Sequence, residues 1–320
     1  MTTLELAVSR FVEHKRAVGR KYESEEAELR LLVRFAEQHC ASRLGELTPV
    51  LLDDFLASRS RPRPRGFNHL LGIVRRLLDW VVAHELLEAS PLQTRPRRET
   101  ATRIPFLFGI TQVRRLLDAA AALPDCTQAP QRGVTYRTIF ALCYGLGLRV
   151  GEASALRVAD VDRTRGLLVV KRGKFGKSRL VPHGPRIGEL VGQQLQRRSD
   201  RVRLDDDAPL FTFDGHRSVH PRSVSMTFHR LVLALGFTAP AGVSPPVVHS
   251  LRHSFAVGCL LRFYRQGLDP AARLQRLSTF MGHVDPVSTA IYLTITAQLM
   301  HEANRRYEAF AEPVWSEVAR

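Results

Sequence analysis

Leu167-Leu-Val-Val-Lys-Arg-Gly-Lys-Phe-Gly-Lys-Ser-Arg-Leu-Val181 is the stretch on which the fold class turns. Two short runs, Leu167–Val170 and Ser178–Val181, flank a basic turn that carries glycine, the pattern of a β-hairpin. The segments around it read as helix. Upstream, Thr111 to Ala122 places Val113, Leu116, Leu117 and Ala120 on one face, and Ile139 to Leu148 is nearly all apolar, as in a buried helix that ends at Gly147. Downstream, helical patterns run over about 186–198, 221–235, 251–265, 270–280 and 286–310. The predicted class is therefore mainly α with a small antiparallel β-sheet.

The first third is helical too. Leu29, Leu32, Val33 and Ala36 recur at helical spacing behind Glu25, Glu26 and Glu28, acidic residues suited to a helix N-terminus. Thr48 is placed to cap a helix that starts at Pro49. The prolines in Arg59-Ser-Arg-Pro-Arg-Pro-Arg65 forbid a helix, leaving a loop with Arg59, Arg61, Arg63 and Arg65. From Phe67 to Leu87 an amphipathic helix resumes. The stretch Thr94-Arg-Pro-Arg-Arg-Glu-Thr-Ala-Thr-Arg103 then reads as a basic linker whose Arg95, Arg97, Arg98 and Arg103 suit a strap over a phosphate backbone. The expected division is a helical domain over 1–93, a linker over 94–104 and a second domain over 105–320.

Composition narrows the partners. The 320 residues include 47 Lys+Arg against 31 Asp+Glu, a formal charge of +16. An excess of that size points to a polyanion, either nucleic acid or an anionic membrane surface. The absence of a lysine-rich amphipathic helix speaks against the membrane surface. No apolar run is long enough to span a bilayer, and the N-terminus lacks the basic and apolar order of a secretory signal. Cys40, Cys126, Cys143 and Cys259 form no CxxC pair and two of them sit inside apolar runs, which suits buried, reduced thiols in the cytoplasm. Arginine outnumbers lysine 42 to 5, yet Lys171, Lys174 and Lys177 crowd into the hairpin turn. Positive charge alone does not explain that cluster.

Four further signals are each ambiguous alone. Arg149, in Gly145-Leu-Gly-Leu-Arg-Val-Gly-Glu152, could pair structurally with Glu152 or offer its fork to a phosphate. His249 and Arg252, in His249-Ser-Leu-Arg-His253, share a helix face. The His249/His253 pair has zinc-ligand spacing, but serine follows His249, so the HExxH base is missing. Gly282-His-Val-Asp-Pro286 reads as a turn with Tyr292 nine residues beyond His283, and a lone tyrosine on a helix is ordinarily a packing residue.

Taken as an ordered set, Arg149, the lysine-bearing hairpin, HxxRH, GH and a tyrosine nine residues on resemble the tyrosine recombinase/integrase family. The resemblance covers about 105–310, and its pattern is closest to transposon-type integrases. The N-terminal helices look like that family's SAM-like core-binding domain. By motif, Arg149 matches the first catalytic arginine, Lys174 the hairpin lysine with Lys177 as runner-up, His249 and Arg252 the HxxR pair, His283 the GH histidine and Tyr292 the nucleophile. Glu152 and His253 match supporting positions, and Arg179 joins the DNA-binding arginines.

The resemblance implies a C-shaped clamp on double-stranded DNA and strand exchange through a 3′-phosphotyrosine. It further implies a tetramer on paired sites, with partner recombinases as an open alternative, no metal or other cofactor, and a cytoplasmic, nucleoid-associated location for a mobile-element enzyme. Arginine cannot act as a general acid, so lysine is expected to protonate the leaving oxygen. His249 is expected to be base or relay for Tyr292. Leu299–Arg320 could dock on its own domain or on a neighbour. Xer-like dimer resolution, a type IB topoisomerase-like activity and a non-catalytic DNA-binding protein are the competing readings.

Overall fold

The computed structural model describes residues 2–98, 104–171, 178–199, 205–282 and, beyond them, 292, 301, 304–305 and 308. Lys174, Lys177, His283, Arg103 and nearly all of the helix expected over 286–310 lie outside the described residues. The chain divides into two compact units, Met1–Thr102 and Arg103–Arg320.

The first unit holds α1 (Leu4–Ala17), α2 (Glu23–Gln38), α3 (Pro49–Ser58) and α4 (Pro64–Ala83). Thr48 caps α3 as its sequence predicts, its Oγ1 accepting from the Leu51 N–H at 3.2 Å, with Pro49 at the first helical position. Leu29, Leu32 and Ala36 of α2 face Leu70, Leu71, Val74, Leu77, Leu78 and Val81 of α4, all buried. The loop expected through Arg65 is shorter than predicted. Pro64 opens α4, because proline suits a first turn whose N–H groups are unbonded anyway. The expected linker also begins tied down. Asn68 exchanges hydrogen bonds with the Arg97 backbone at 2.8 Å each, and Arg75 donates to the Thr94 carbonyl at 2.9 Å.

The second unit is built on α6 (Arg132–Gly145), whose side chains are buried almost all round. Helices α5 (Ile110–Ala121), α8 (Pro185–Ser199) and α10 (Val248–Arg265) pack on it. The apolar run therefore marks only the later part of a longer helix. The short helix α7 (Val150–Ser154) follows, then β1 (Val161–Asp162), β2 (Leu167–Val170) and β3 (Arg179–Pro182) in an antiparallel sheet of order β1-β2-β3. Leu168 faces Val181 and Val170 faces Arg179 across the hairpin. Arg179 and Val181 are two apart, so they share the inward face with Leu168 and Val170. Helices α9 (Pro221–Ala234) and α11 (Pro270–Met281) complete the unit. The four cysteines are free thiols, but the expected burial holds fully only for Cys143: Cys259 is half-buried, and Cys40 and Cys126 are exposed because they lie in the turns after α2 and before α6. Among the described residues no helix is long and apolar enough to cross a membrane.

Candidate active site

Three elements bring three guanidinium groups to one carboxylate. Arg149 stands at the N-cap of α7, and its backbone N–H and Nη1 donate to Glu152 at 3.0 and 2.6 Å. Arg179 reaches in from β3 and donates from Nη1 and Nη2 to the two Glu152 oxygens at 3.0 and 2.8 Å. Arg252, fully buried on α10, lies 3.9 Å from the same carboxylate. Burial alone would push the Glu152 carboxyl up. The hydrogen bonds from Arg179 and Arg149 outweigh it and hold the carboxyl at about 2, so Glu152 is an anion at neutral pH.

On their other side the same three arginines meet the C-terminal end of α11. Arg179 Nε donates to the Phe280 carbonyl at 2.9 Å, Arg252 Nη2 to Met281 at 2.7 Å and Arg149 Nη2 to Gly282 at 3.1 Å. The last carbonyls of a helix lack helical partners and form its negative end, so they are natural seats for cations. Arg252 also donates to the Gly147 carbonyl at 2.5 Å. Burial and the Arg149 charge lower the Arg252 guanidinium to about 10, still cationic. Two glycines make this packing possible. Gly282 closes α11 at φ 68°, where a Cβ would come within 2.6 Å of Arg179 Nη1. Gly147, at φ 61°, has the Phe255 ring where a Cβ would go.

Three cations against one carboxylate and about half a charge of helix dipole leave roughly one and a half positive charges uncompensated. Such a cradle suits an anion, and the forked geometry suits a phosphate. Tyr292 lies next to it. Its side chain is buried beside Ala256, Val257, Leu260, Leu277 and Met281. Burial raises the phenol's pKa, while Arg252 and Arg149 pull it down, so both arginines act on the ring oxygen at electrostatic range. His253 Nδ1 is 2.7 Å from the Tyr292 hydroxyl. The sequence makes His249 the candidate base or proton relay for Tyr292. The structure puts His249 one turn earlier, exposed in the first turn of α10, with its ring edge-on to His253 at 4.6 Å. Among the described residues no group of three or more His, Cys, Asp or Glu could hold a metal ion, so the zinc spacing of the two histidines is not completed there.

The profile of the phage integrase family matches residues 110–298, the span that holds Arg149, Arg252 and Tyr292. The chain belongs to the phage integrase family. The y4rB protein of Sinorhizobium fredii (strain NBRC 101917 / NGR234), which carries an integrase/recombinase name, is 33% identical over 314 residues, 96% of this chain and 98% of that protein. Among solved structures, the Tn1549 transposon integrase in complex with transposon right end DNA superposes with TM-score 0.67 at 14% identity, covering 97% of this chain and 100% of that one. A lambda integrase tetramer bound to a Holliday junction gives TM-score 0.64 at 16% identity, over 89% and 79% of the two chains. The protein is a tyrosine-type integrase/recombinase acting on DNA.

Within this integrase the arginines predicted to face DNA divide in two. Arg179 is committed to Glu152 and α11, so it shapes the cradle from inside. Arg61 donates to Glu28 at 2.6 Å, Arg97 lies 3.8 Å over the Phe67 ring, and Arg59 rests over Phe55. By contrast Arg63, Arg65, Arg95 and Arg98 are exposed, with no ion pair among the described residues. Strand alternation is the signal that could have turned Arg179 inward, since it lies two residues from buried Val181.

Proposed function

We propose that this integrase cuts and rejoins DNA strands through a covalent 3′-phosphotyrosine on Tyr292, in the service of a mobile element. The observation that carries the reading is the cradle itself: Arg149 and Arg252, locked between Glu152 and the end of α11, hold surplus positive charge at electrostatic range of the Tyr292 hydroxyl. A phosphodiester seated there would have its non-bridging oxygens neutralised as charge builds on them. The Tyr292 oxygen forms the new bond to phosphorus and the 5′ oxygen leaves, so the ester count is unchanged and no ATP is needed.

Lys174 is the proposed donor of a proton to that leaving oxygen, with Lys177 as alternative, and His283 a hydrogen-bonding partner of the phosphate. Cutting and rejoining paired sites calls for four subunits, and the lambda integrase tetramer on a Holliday junction supports that arrangement. The y4rB relative's integrase/recombinase name supports the strand-joining role, and the likeness in fold to the Tn1549 transposon integrase supports the mobile element. We assign DNA binding to the helical first unit, through Arg63, Arg65, Arg95 and Arg98, and place the protein on the nucleoid.

The test is to incubate the protein with genomic DNA of its source, denature, and map protein-linked 3′ ends by sequencing. The wild type should leave adducts at a defined site, in the presence of EDTA. Tyr292→Phe should leave none while still retarding the same DNA. Adducts that persist in Tyr292→Phe overturn the nucleophile.

A further inference from the structure

Residues 94–98 carry no regular secondary structure, yet they are held along α4. Arg75 donates to the Thr94 carbonyl at 2.9 Å, and Asn68, two turns earlier on the helix, meets Arg97. Seven helical residues rise about 10.5 Å, and three extended residues reach about 10 Å. The strap therefore runs nearly drawn out between these anchors, antiparallel to α4. Pro96 suits that course, since it keeps Arg95 extended. The Asn68 contact is the more exacting one. Its amide nitrogen donates to the Arg97 carbonyl and its amide oxygen accepts the Arg97 N–H, both at 2.8 Å. Only this orientation of the amide satisfies both, because the reverse would set donor against donor and acceptor against acceptor. The pairing copies that of a neighbouring strand and fixes how the strap is turned about its own axis.

The Arg97 side chain is also taken up, over the Phe67 ring at 3.8 Å and donating to the Arg61 carbonyl at 3.2 Å. The Thr94 hydroxyl donates to Asp53 of α3. Arg95 and Arg98 are left exposed, with no ion pair among the described residues. Arg65, exposed likewise, stands three residues before Asn68 and so shares its face of α4. Asn68 thus joins two basic segments 29 residues apart into one surface. Gathering unpaired cations in this way is unfavourable in the free protein, and a polyanion relieves it.

We propose that Asn68 is a positioning residue for DNA binding: it seats the strap on α4 before DNA arrives, so that Arg95 and Arg98 meet the duplex backbone already aligned with Arg65. This rests on the reading of those arginines as phosphate contacts. A free linker would surrender backbone freedom on binding, about a tenfold loss of affinity for each residue ordered. Here folding has already fixed the strap. Asn68 is uncharged, so its contribution is separable from that of the arginines it places.

The experiment measures binding of the full chain to a duplex carrying the mapped cleavage site, over a range of salt concentrations. The variants are Asn68→Leu, Asn68→Ala and the double variant Arg95→Ala with Arg98→Ala. Amide exchange of the free proteins is followed in α4 and at Arg97. Leucine and alanine both favour helix, so α4 should keep its protection. The Arg97 amide, protected in the wild type, should exchange freely in both Asn68 variants. They should bind about tenfold more weakly at every salt concentration, with the slope of log K against log salt unchanged. The double arginine variant should instead lose about 1.8 from that slope.

Asn68 variants that bind as tightly as the wild type overturn the proposal. So does a reduced salt slope in them, or weaker binding that comes only with lost protection in α4, which would make Asn68 a residue of the fold. Failure of the phosphate-contact reading is distinct, because it shows as an unchanged slope in the double arginine variant, where Asn68 is intact.

Discussion

The two units are stabilised by opposite means. In the first, every buried side chain among the described residues is hydrophobic, from Leu4 on α1 to Val81 on α4. In the second, the buried set includes Arg252 and Asp160, and Glu152 is covered almost as fully, with 6% of its side chain exposed. An apolar core gains free energy from each buried methylene. A buried ionic hub gains little or nothing over a hydrophobic one, because desolvation offsets the attraction. The second unit therefore holds its charges for geometry: Glu152 and α11 fix where Arg149 and Arg252 point. The first unit has no such constraint and packs for stability.

The sharpest way to break this comparison is to remove the hub's anion without changing its size. Glu152→Gln removes the hub's negative charge and replaces one of its two acceptor oxygens by a donor, leaving three guanidinium groups with a single amide oxygen and the backbone carbonyls of Gly147 and the end of α11. Breaking a buried pair on one side typically costs about 3–5 kcal/mol, and displacing a catalytic group by an ångström costs about 10² in rate. The variant should lose adduct formation and amide-exchange protection in α10, while α4 keeps its protection. Leu70→Ala should do the reverse, lowering protection in α4 by about 2–5 kcal/mol. If Glu152→Gln leaves both adduct rate and α10 protection intact, the hub has no positioning role.

Acid gives a smaller and graded version. The Glu152 carboxyl sits at about 2 in the fold against 4.5 ordinarily, so its stabilisation is full above pH 4.5 and lost as pH falls towards 2. At 1.36 kcal/mol per unit that is about 3 kcal/mol at most. His253, held neutral to about 4 against 6.5, acts in the same direction at milder pH. The unfolded chain takes its proton first, so the contribution is complete above 6.5 and shrinks as pH drops to about 4. Protection in α7 and α10 should therefore decline more steeply with acid than in α4. In Glu152→Gln the part below pH 4.5 should vanish, and an unchanged slope there would remove Glu152 as its cause.

What was legible in the sequence follows the range of the interactions. The hairpin was legible because its alternation is local, and Thr48 with Pro49 because a cap is decided within one turn. Arg149, Arg252 and Tyr292 stood out by their order along the chain, shared with a known family. Partners far apart in sequence were not legible. Arg179 finds Glu152 27 residues away and Phe280 101 residues away, and Arg61 finds Glu28 across 33. The contact between His253 and the Tyr292 hydroxyl was not legible either, because it is set by tertiary packing 39 residues downstream. Strand β1 was missed because two residues, Val161 and Asp162, carry no alternation to read.

The smallest predicted effects concern the first unit's arginines, and they test whether charge there serves the fold or DNA. Arg61 and Glu28 are each about a quarter exposed, so their pair is partly screened and is worth at most about 1 kcal/mol. Arg61→Ala should cost that much stability and leave the salt dependence of DNA binding nearly unchanged, since its guanidinium is already neutralised. Arg63 is exposed in the turn before α4, with no ion pair among the described residues. Arg63→Ala should leave stability alone and reduce the slope of log K against log salt by about 0.9, the release from one phosphate contact. The two arginines are separated by a single residue, Pro62, so local sequence context cannot explain a difference between them. If the slopes fall equally, Glu28 must yield Arg61 to the phosphate on binding. In that case the ion pair is a reserve of charge, and the first unit is as devoted to its substrate as the second.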